Sequence, residues 1–238
     1  MKKGIWAVLI GLMVMSACRE DQQYRVLVFS KTTAFRHESI AEGKKMFLEL
    51  GAMHAIQIDT TESALFFSDT TLAKYDAVVF LSTTGDVLDS LQQLAFERYI
   101  RSGKGFVGIH SASDTEYQWP WYGRLVGAYF KNHPKVQRAL FQKIEESPLT
   151  EGLPQQWYRT DEEYNFQSLP QHVTVLYQLI ENSYEGGEHP DNHPIAWYQE
   201  FDGGRSFYTA MGHTKESYAD PFFQQHVLLA LNYVIRKD

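Results

Sequence analysis

Apolar blocks separated by polar stretches predict alternating strands and helices in the first half of the chain. An almost continuous apolar run at 24–30 predicts a strand covered on both faces. Residues 38–50 carry apolar side chains at helical spacing and predict a helix that Gly51 ends. Further strands are predicted at 54–58, 76–81 and 106–109, and a second helix at 86–101. This order predicts a mostly parallel central sheet with right-handed crossovers.

The second half of the chain has a less regular pattern. Strands are predicted at 140–144 and 172–179, and a hairpin is predicted from 195–201 and 205–211 around Asp202-Gly203-Gly204. Residues 221–236 predict a closing helix. No repeat, low-complexity tract or linker divides residues 24–238, so they are expected to form one α/β domain.

Polar side chains follow three of the predicted strands, after Ser30, Leu81 and Ile109. The last of these strands continues directly into His110-Ser111-Ala112-Ser113-Asp114. Ligands bind beyond the carboxyl ends of parallel strands, because the loops there surround a crevice. The functional site is therefore predicted at this edge of the sheet, with His110 near its centre.

The N-terminal segment has the pattern of an export signal. Lys2 and Lys3 precede an apolar stretch at 5–15, which is too short to span a bilayer comfortably. Met15-Ser16-Ala17-Cys18 resembles a bacterial lipobox, so we predict a signal peptide at 1–17, lipidation of Cys18 and a polar tether at 18–23. The alternative is an ordinary signal peptide with an incidental cysteine. The protein is expected to be exported to the cell envelope, as a periplasm-facing or surface lipoprotein.

Composition narrows the range of partners and chemistries. The 238 residues are 44% hydrophobic, enough for a full core. A formal net charge of −7 without basic runs argues against nucleic acid and against electrostatic docking on a membrane, so membrane contact is expected only through the lipid anchor. Cys18 is the single cysteine, which excludes an internal disulfide, thiolate catalysis and a cysteine-ligated metal.

Six motifs in chain order carry a family resemblance. They are Phe35-Arg36-His37, Gly108-Ile109-His110-Ser111-Ala112, Gly127-Ala128-Tyr129-Phe130 with His133, Asp161-Glu162-Glu163-Tyr164, His193-Pro194-Ile195-Ala196-Trp197, and Gly204-Arg205 through Gly212-His213. Together they resemble the ThuA-like family, named for trehalose utilisation, over essentially all of the chain after the signal. The resemblance implies a flavodoxin-like α/β fold, a three-layer sandwich related to class I glutamine amidotransferases.

The chain departs from those amidotransferases at the residue after the central strand. Where they have a cysteine nucleophile, this sequence has His110, so glutaminase activity is expected to be absent. Ser111 or Ser113 is a conceivable substitute nucleophile. Neither stands in the Gly-x-Ser-x-Gly pattern of an α/β-hydrolase, which argues against serine hydrolysis.

Histidines and carboxylates at the motifs supply the remaining candidate chemistry, because imidazole acts as acid, base or metal ligand near neutral pH. The predicted catalytic residues are His37, His110, Asp161, Glu162 and His213. The predicted substrate-binding residues are Arg36, Ser111, Asp114, Trp119, Trp121, Tyr122, His133, Tyr164 and His193. The tryptophans are assigned to stacking on sugar rings, with burial in the core as the alternative. His54, His172 and His226 are predicted to be structural.

The resemblance implies a substrate among trehalose-like disaccharides or keto-glycosides, so the leading hypothesis is a carbohydrate-processing enzyme. Acid/base chemistry would give isomerisation, elimination or hydrolysis, for example by proton abstraction next to a ketone. The base would be a carboxylate, Asp161 or Glu162, or else His110, and a second histidine would protonate the leaving group. A divalent metal held by some of these histidines with Asp161 or Glu162 is a further option, although no HExxH or HxH spacing supports one and its ligands would come from distant loops. The rival is a non-catalytic sugar-binding lipoprotein, and a structural role has only the lipid anchor in its favour.

Overall fold

The structure is a computed structural model that describes residues 24–236; the predicted signal, Cys18 and the tether lie outside this range. The described strands are β1 (Tyr24–Phe29), β2 (Ile56–Thr61), β3 (Ala77–Leu81), β4 (Gly105–Ile109), β5 (Phe130–Asn132), β6 (Gln137–Lys143), β7 (Gln156–Asp161), β8 (Asn165–Phe166), β9 (Thr174–Leu179), β10 (Pro194–Phe201) and β11 (Gly204–Thr209). The helices are α1 (Ile40–His54), α2 (Asp69–Leu72), α3 (Ser90–Arg101), α4 (Pro120–Val126) and α5 (Pro221–Val234).

Nine of these strands form one sheet in the order β2-β1-β3-β4-β11-β10-β9-β6-β7, and β5 pairs with β8 separately. The four contacts among β2, β1, β3, β4 and β11 are parallel. The four contacts from β11 to β7 are antiparallel. The α/β class is therefore confirmed, whereas the sheet is mixed and not mostly parallel as predicted. The hairpin between β10 and β11 reverses the chain direction, and the strands beyond it keep the antiparallel pattern.

The parallel half of the sheet positions the loops that matter for function. β1, β3, β4 and β11 run in the same direction, so the loops that follow them open on one edge, as the sequence predicted. β2 lies on one side of β1 and β3 on the other, so the chain order reverses there. Open α/β sheets bind ligands beyond the carboxyl ends of strands at such reversals.

Phenylalanine rings pack against one another around the buried strands β3 and β4. Phe80 contacts the rings of Phe29, Phe96 and Phe106 at centroid distances of 5.3–5.5 Å. Phe96 comes from α3, which begins with a capping box between Asp89 and Gln92. Burying each phenylalanine contributes about 1.5–3 kcal/mol, so this cluster fixes the strands that carry the functional loops.

Two local predictions are wrong for identifiable reasons. Gly51 was expected to end the first helix, but α1 continues to His54 and ends at Ala55, whose φ is 56°. Gly51 instead permits close packing, since a Cβ there would lie 2.6 Å from the carbonyl oxygen of Ile56. β7 was missed because two of its three buried side chains, Arg159 and Asp161, are polar and obscure the period-two apolar pattern.

None of the helices in residues 24–236 has the length and apolar character needed to cross a membrane.

Candidate active site

Four side chains that are far apart in sequence converge at the carboxyl edge of the sheet. They are His37 after β1, His110 after β4, Glu162 after β7 and His213 after β11. One nitrogen or oxygen atom from each lies within 4.8 Å of the corresponding atoms of the others. We call these four residues the histidine–glutamate cluster. All four were among the predicted catalytic residues, and the fold brings them together.

His110 is held in one orientation by backbone groups around it. Its φ is 52°, in the left-handed region that non-glycine residues rarely adopt. Its Nδ1 lies 2.7 Å from the carbonyl oxygen of Ala210, which can only accept a hydrogen bond. Nδ1 therefore carries the proton, and in the neutral ring the lone pair on Nε2 faces the cluster. The hydroxyl of Tyr208 also donates to the His110 carbonyl oxygen at 2.9 Å.

Distances within the cluster are short. His110 Nε2 lies 3.1 Å from His37 Nε2 and 3.3 Å from His213 Nδ1. Glu162 Oε2 lies 3.1 Å from His213 Nδ1 and 3.4 Å from His110 Nε2. The hydroxyl of Tyr164 is 3.0 Å from His110 Nε2, and Ser111 Oγ is 3.3 Å from His37 Nδ1. Polar atoms thus surround one small volume.

Burial and mutual charge separate the pKa values of these groups. Burial, followed by the charges of His110 and His213, lowers the pKa of His37 to about 3. Burial also acts to lower the pKa of His213, but the hydrogen bond and charge of Glu162 outweigh it and raise the pKa. Burial acts to raise the pKa of Glu162, but its contacts with the His110 and His213 rings leave it well below its usual value. Glu162 is thus ionised and His37 neutral near pH 7.

Asp161 was predicted as a catalytic base, but it positions the cluster from behind. Its carboxylate accepts hydrogen bonds from the backbone N–H groups of Glu162, Gly212 and His213. It also accepts from Arg159 and from Ser217, at 2.9 and 3.1 Å. With five donors on its two oxygens, Asp161 is fully engaged, so the prediction of a base at this position is corrected.

The neighbouring Glu163 does not join the cluster. Neither of its carboxylate oxygens has a hydrogen-bond partner among the described residues. Burial, with the charge of Asp161 next, raises its pKa to about 8. Of the three consecutive acidic residues, only Glu162 presents its carboxylate to the three histidines.

Several predicted substrate-binding residues surround the cluster. Tyr164 and Ser111 contact it directly, as described above. His133 is 42% exposed, and its Nδ1 lies 3.1 Å from Glu162 Oε1, the carboxylate oxygen not used by His213. Asp114 is half-buried and accepts a 2.6 Å hydrogen bond from Tyr117; burial raises its pKa.

The tryptophan-rich segment is part of the core and not of the site, which corrects the stacking prediction. Trp119 and Trp121 are each 7% exposed, and Tyr122 is fully buried. Trp121 Nε1 donates to Asp202, in the turn at the amino end of β11, opposite the cluster. Trp121 therefore lies at the far end of the core, whereas Tyr122 donates to the Ala112 carbonyl oxygen, two residues after His110.

Arg36 and His193, both predicted to bind substrate, have side-chain partners outside the four cluster residues. Arg36 forms an exposed ion pair with Glu62 at 2.8 Å. His193 is buried, and its Nε2 lies 2.8 Å from the carbonyl oxygen of Tyr164, so it supports the chain behind the site.

Sequence reasoning missed one aromatic residue beside the site. Phe35 is 64% exposed, and its ring lies edge-on to His37 with centroids 4.8 Å apart. The available signal was a large apolar side chain in a predicted polar loop, because exposing such a side chain to water is unfavourable and can mark a binding site. The backbone carbonyl of Ala210 left no signal in the sequence.

A separate cavity of about 590 Å³ is lined by residues of α4, of the loop 168–172 and of β10. None of the four cluster residues lines it. Its size is suitable for a ligand, and its lining includes Arg124, His172 and Glu200. The histidine–glutamate cluster is the stronger candidate for chemistry, because its ionisable groups lie within hydrogen-bond reach of one another.

Three imidazoles and one carboxylate in this arrangement have two chemical capacities. They can accept and donate protons, since neutral and charged partners lie within hydrogen-bond reach. They can also present lone pairs to a cation, because imidazole nitrogen and carboxylate oxygen are ordinary metal ligands.

Comparison with known proteins agrees with this fold. A ThuA-like protein from Bacteroides uniformis ATCC 8492 is 22% identical with a TM-score of 0.74, covering 91% of this chain and 93% of that one. A ThuA-like protein from Parabacteroides merdae ATCC 43184 is 17% identical with a TM-score of 0.75, covering 90% of each chain. A β-galactosidase from Rahnella sp. R3 is 14% identical with a TM-score of 0.57, covering 90% of this chain but 32% of the enzyme. These likenesses show a shared fold.

A search among curated proteins gave no match. The family model described as "Trehalose utilisation", ThuA, matches residues 25–234, nearly the whole described range. The chain therefore belongs to the ThuA trehalose-utilisation family.

Proposed function

We propose that this protein is a carbohydrate-processing enzyme whose active centre is the histidine–glutamate cluster. The observation that carries the proposal is the convergence of His37, His110, Glu162 and His213 from four separate segments. Packing alone does not favour this arrangement, because burying ionisable side chains side by side costs free energy. Membership of the trehalose-utilisation family supports a carbohydrate as the substrate.

The reaction class proposed is acid/base chemistry on trehalose-like disaccharides or their keto derivatives. In elimination, a base takes the proton next to a ketone, a carbon–carbon double bond forms and the glycosidic C–O bond breaks. The departing oxygen then takes a proton from an acid. His133 contacts both solvent and Glu162, so it is suited to move protons between the centre and water.

Aromatic rings at the mouth of the site support a sugar ligand. Phe35 is exposed beside His37, and Phe130 packs on Tyr164 with centroids 4.3 Å apart. Apolar ring faces match the C–H faces of a pyranose, while nearby polar groups are left for its hydroxyls. Phe35 thus takes the role that the sequence assigned to the tryptophans.

We further propose that the enzyme works in the cell envelope, anchored by a lipid on Cys18. The proposal rests on the lipobox-like Met15-Ser16-Ala17-Cys18 after a short apolar segment. Mass spectrometry of the protein extracted from its host membranes tests it. A lipidated N-terminal Cys18 is expected, and an unmodified chain that begins at Met1 would refute it.

Product analysis tests the catalytic proposal. The purified full chain is incubated with trehalose, other glucosides and their 3-keto derivatives, and products are identified by mass spectrometry. We compare His110→Asn, because asparagine tolerates a positive φ but cannot reach the cluster. His172→Asn is the matched control, since His172 is exposed and also has a positive φ of 59°.

The expected result is product from the native chain and from the His172 variant, with at least a hundredfold loss in the His110 variant. Equal turnover by the His110 and His172 variants would show that the cluster takes no part in the reaction. Saturable sugar binding without any product would instead favour the sugar-binding alternative.

A further inference from the structure

The donor atoms of the cluster are spaced like the ligands of a metal ion. A tetrahedral site with metal–ligand distances of about 2.0–2.1 Å places neighbouring donor atoms about 3.3 Å apart. Four of the six separations among His110 Nε2, His37 Nε2, His213 Nδ1 and Glu162 Oε2 are 3.1, 3.3, 3.1 and 3.4 Å; the other two join His37 to His213 and to Glu162. All donor atoms lie within 4.8 Å of one another.

The protons of two of the three histidines are also arranged for a metal ion, whereas the proton that His213 Nδ1 shares with Glu162 must leave when an ion binds. The Ala210 carbonyl oxygen keeps the His110 proton on Nδ1, so Nε2 offers its lone pair to the cluster. Ser111 Oγ lies 3.3 Å from His37 Nδ1 and can accept a hydrogen bond from it. The lone pair of His37 Nε2 is then free to bind a metal ion. Metal-binding histidines characteristically use their second nitrogen in this way.

The carboxylate has equivalent support. Glu162 Oε2 faces the histidines, while Oε1 lies 3.1 Å from His133 Nδ1. The backbone N–H of Glu162 donates to Asp161, which also holds the N–H of His213. The buried Asp161 carboxylate therefore holds the backbone of two of the four proposed metal ligands, Glu162 and His213. Ligands held in this way lose little conformational freedom when an ion binds.

We infer that His37, His110, Glu162 and His213 bind one divalent first-row transition-metal ion, with Zn²⁺ as the ion that their spacing fits. Three imidazole nitrogens and one carboxylate oxygen favour such ions over Mg²⁺ and Ca²⁺, which prefer all-oxygen sites. The catalytic meaning of the ion rests on the proposed function: a sugar oxygen would have to join the four protein ligands as a fifth ligand for the cation to stabilise its negative charge. The binding itself does not depend on that function.

The competing explanation is a chain of hydrogen bonds without a cation. It too brings these atoms to about 3 Å, but it places a proton on His37 Nε2, between the two rings. The two explanations differ in metal affinity, so metal binding decides between them.

The test is a metal titration of the purified full chain after treatment with a chelator. Isothermal calorimetry with ZnCl₂ gives affinity and stoichiometry, and elemental analysis of the dialysed product checks the bound ion. The variants are His110→Asn and the isosteric Glu162→Gln, with His172→Asn as a matched control for unspecific binding at an exposed imidazole. Circular dichroism establishes that each variant is folded.

We expect the native chain and the His172→Asn variant each to bind one Zn²⁺ per chain. Binding should be at least about a hundredfold weaker in the His110→Asn and Glu162→Gln variants. A rise in melting temperature with added Zn²⁺ should occur only where the site is intact. Absence of binding to the native chain, or equal binding to the folded cluster variants, overturns the inference. Metal binding without turnover would refute the proposed function alone, and turnover by chelator-treated chain without metal binding would refute the metal site alone.

Discussion

Replacement of His226 by leucine should make the protein less sensitive to acid. His226 lies on α5, is fully buried, and neither ring nitrogen has a hydrogen-bond partner among the described residues. Aromatic rings surround it, and its ring centroid lies 5.1 Å from that of Phe207 and 6.0 Å from that of Tyr177. Burial, and next the charge of Arg159, lowers its pKa from 6.5 to about 3.

The sign and size of the effect follow from proton linkage. Because the folded-state pKa lies below the unfolded value, the unfolded chain binds the extra proton as pH falls from about 6.5 towards 3. Stability is therefore lost over that window. With these two pKa values the loss between pH 7.5 and pH 5 is about 2 kcal/mol, and leucine at this position removes it. Leucine also removes two unpaired buried nitrogens, so the variant should be at least as stable at pH 7.5.

Urea unfolding of the native chain and of His226→Leu at pH 7.5, 6 and 5 measures this effect. The difference in unfolding free energy between the two proteins should grow by about 2 kcal/mol from pH 7.5 to pH 5. Contributions from the other histidines are present in both proteins and cancel in the difference. The exposed-site variant His172→Asn should follow the native chain at every pH. A difference that stays constant with pH would falsify the account of His226 as a buried neutral imidazole.

Three further predictions follow from single contacts. Gly51→Ala should destabilise the fold by about 2 kcal/mol in urea unfolding, because the new Cβ meets the Ile56 carbonyl oxygen; a more stable variant would contradict the close approach. Asp161→Asn should lower the unfolding free energy by about 3 kcal/mol and weaken Zn²⁺ binding about tenfold or more, because the asparagine NH₂ group would face the N–H groups that now donate to the carboxylate. Native values in both the urea and the Zn²⁺ titration would show that Asp161 does not position the cluster. Phe35→Ala should raise KM for the sugar about tenfold at unchanged kcat and melting temperature, and an equal loss in kcat would argue against a stacking role.

The first half of the fold was predictable because local and tertiary preferences agree there. β1, β3 and β4 are buried on both faces, so their sequences are continuously apolar and stand out. The antiparallel half follows different rules. Arg159 and Asp161 point inward from β7 because they bind each other and the loop after β11, which no local pattern reveals.

Candidate chemistry was predictable as residue types at strand ends, but the division of roles was not. Asp161, Glu162 and Glu163 are adjacent and chemically alike, yet Asp161 positions the site and Glu162 faces the histidines. The Glu163 carboxylate is buried and has no hydrogen-bond partner within residues 24–236. Which carboxylate enters the site depends on the direction the chain takes after β7. That direction is set by contacts with Gly212 and His213, more than fifty residues later in the chain.

The backbone at His110 connects the fold to its chemistry. Ser82 and His110 follow the adjacent strands β3 and β4, and both have positive φ values, 47° and 52°. Such strain costs about 1–3 kcal/mol per residue and persists only where neighbouring contacts enforce it. Here Ser82 N–H donates to the Ile109 carbonyl oxygen, and Tyr208 holds the His110 carbonyl oxygen. The sharp turn directs the His110 ring towards His37 and His213, so the strained position after the central strand presents an imidazole lone pair to the site.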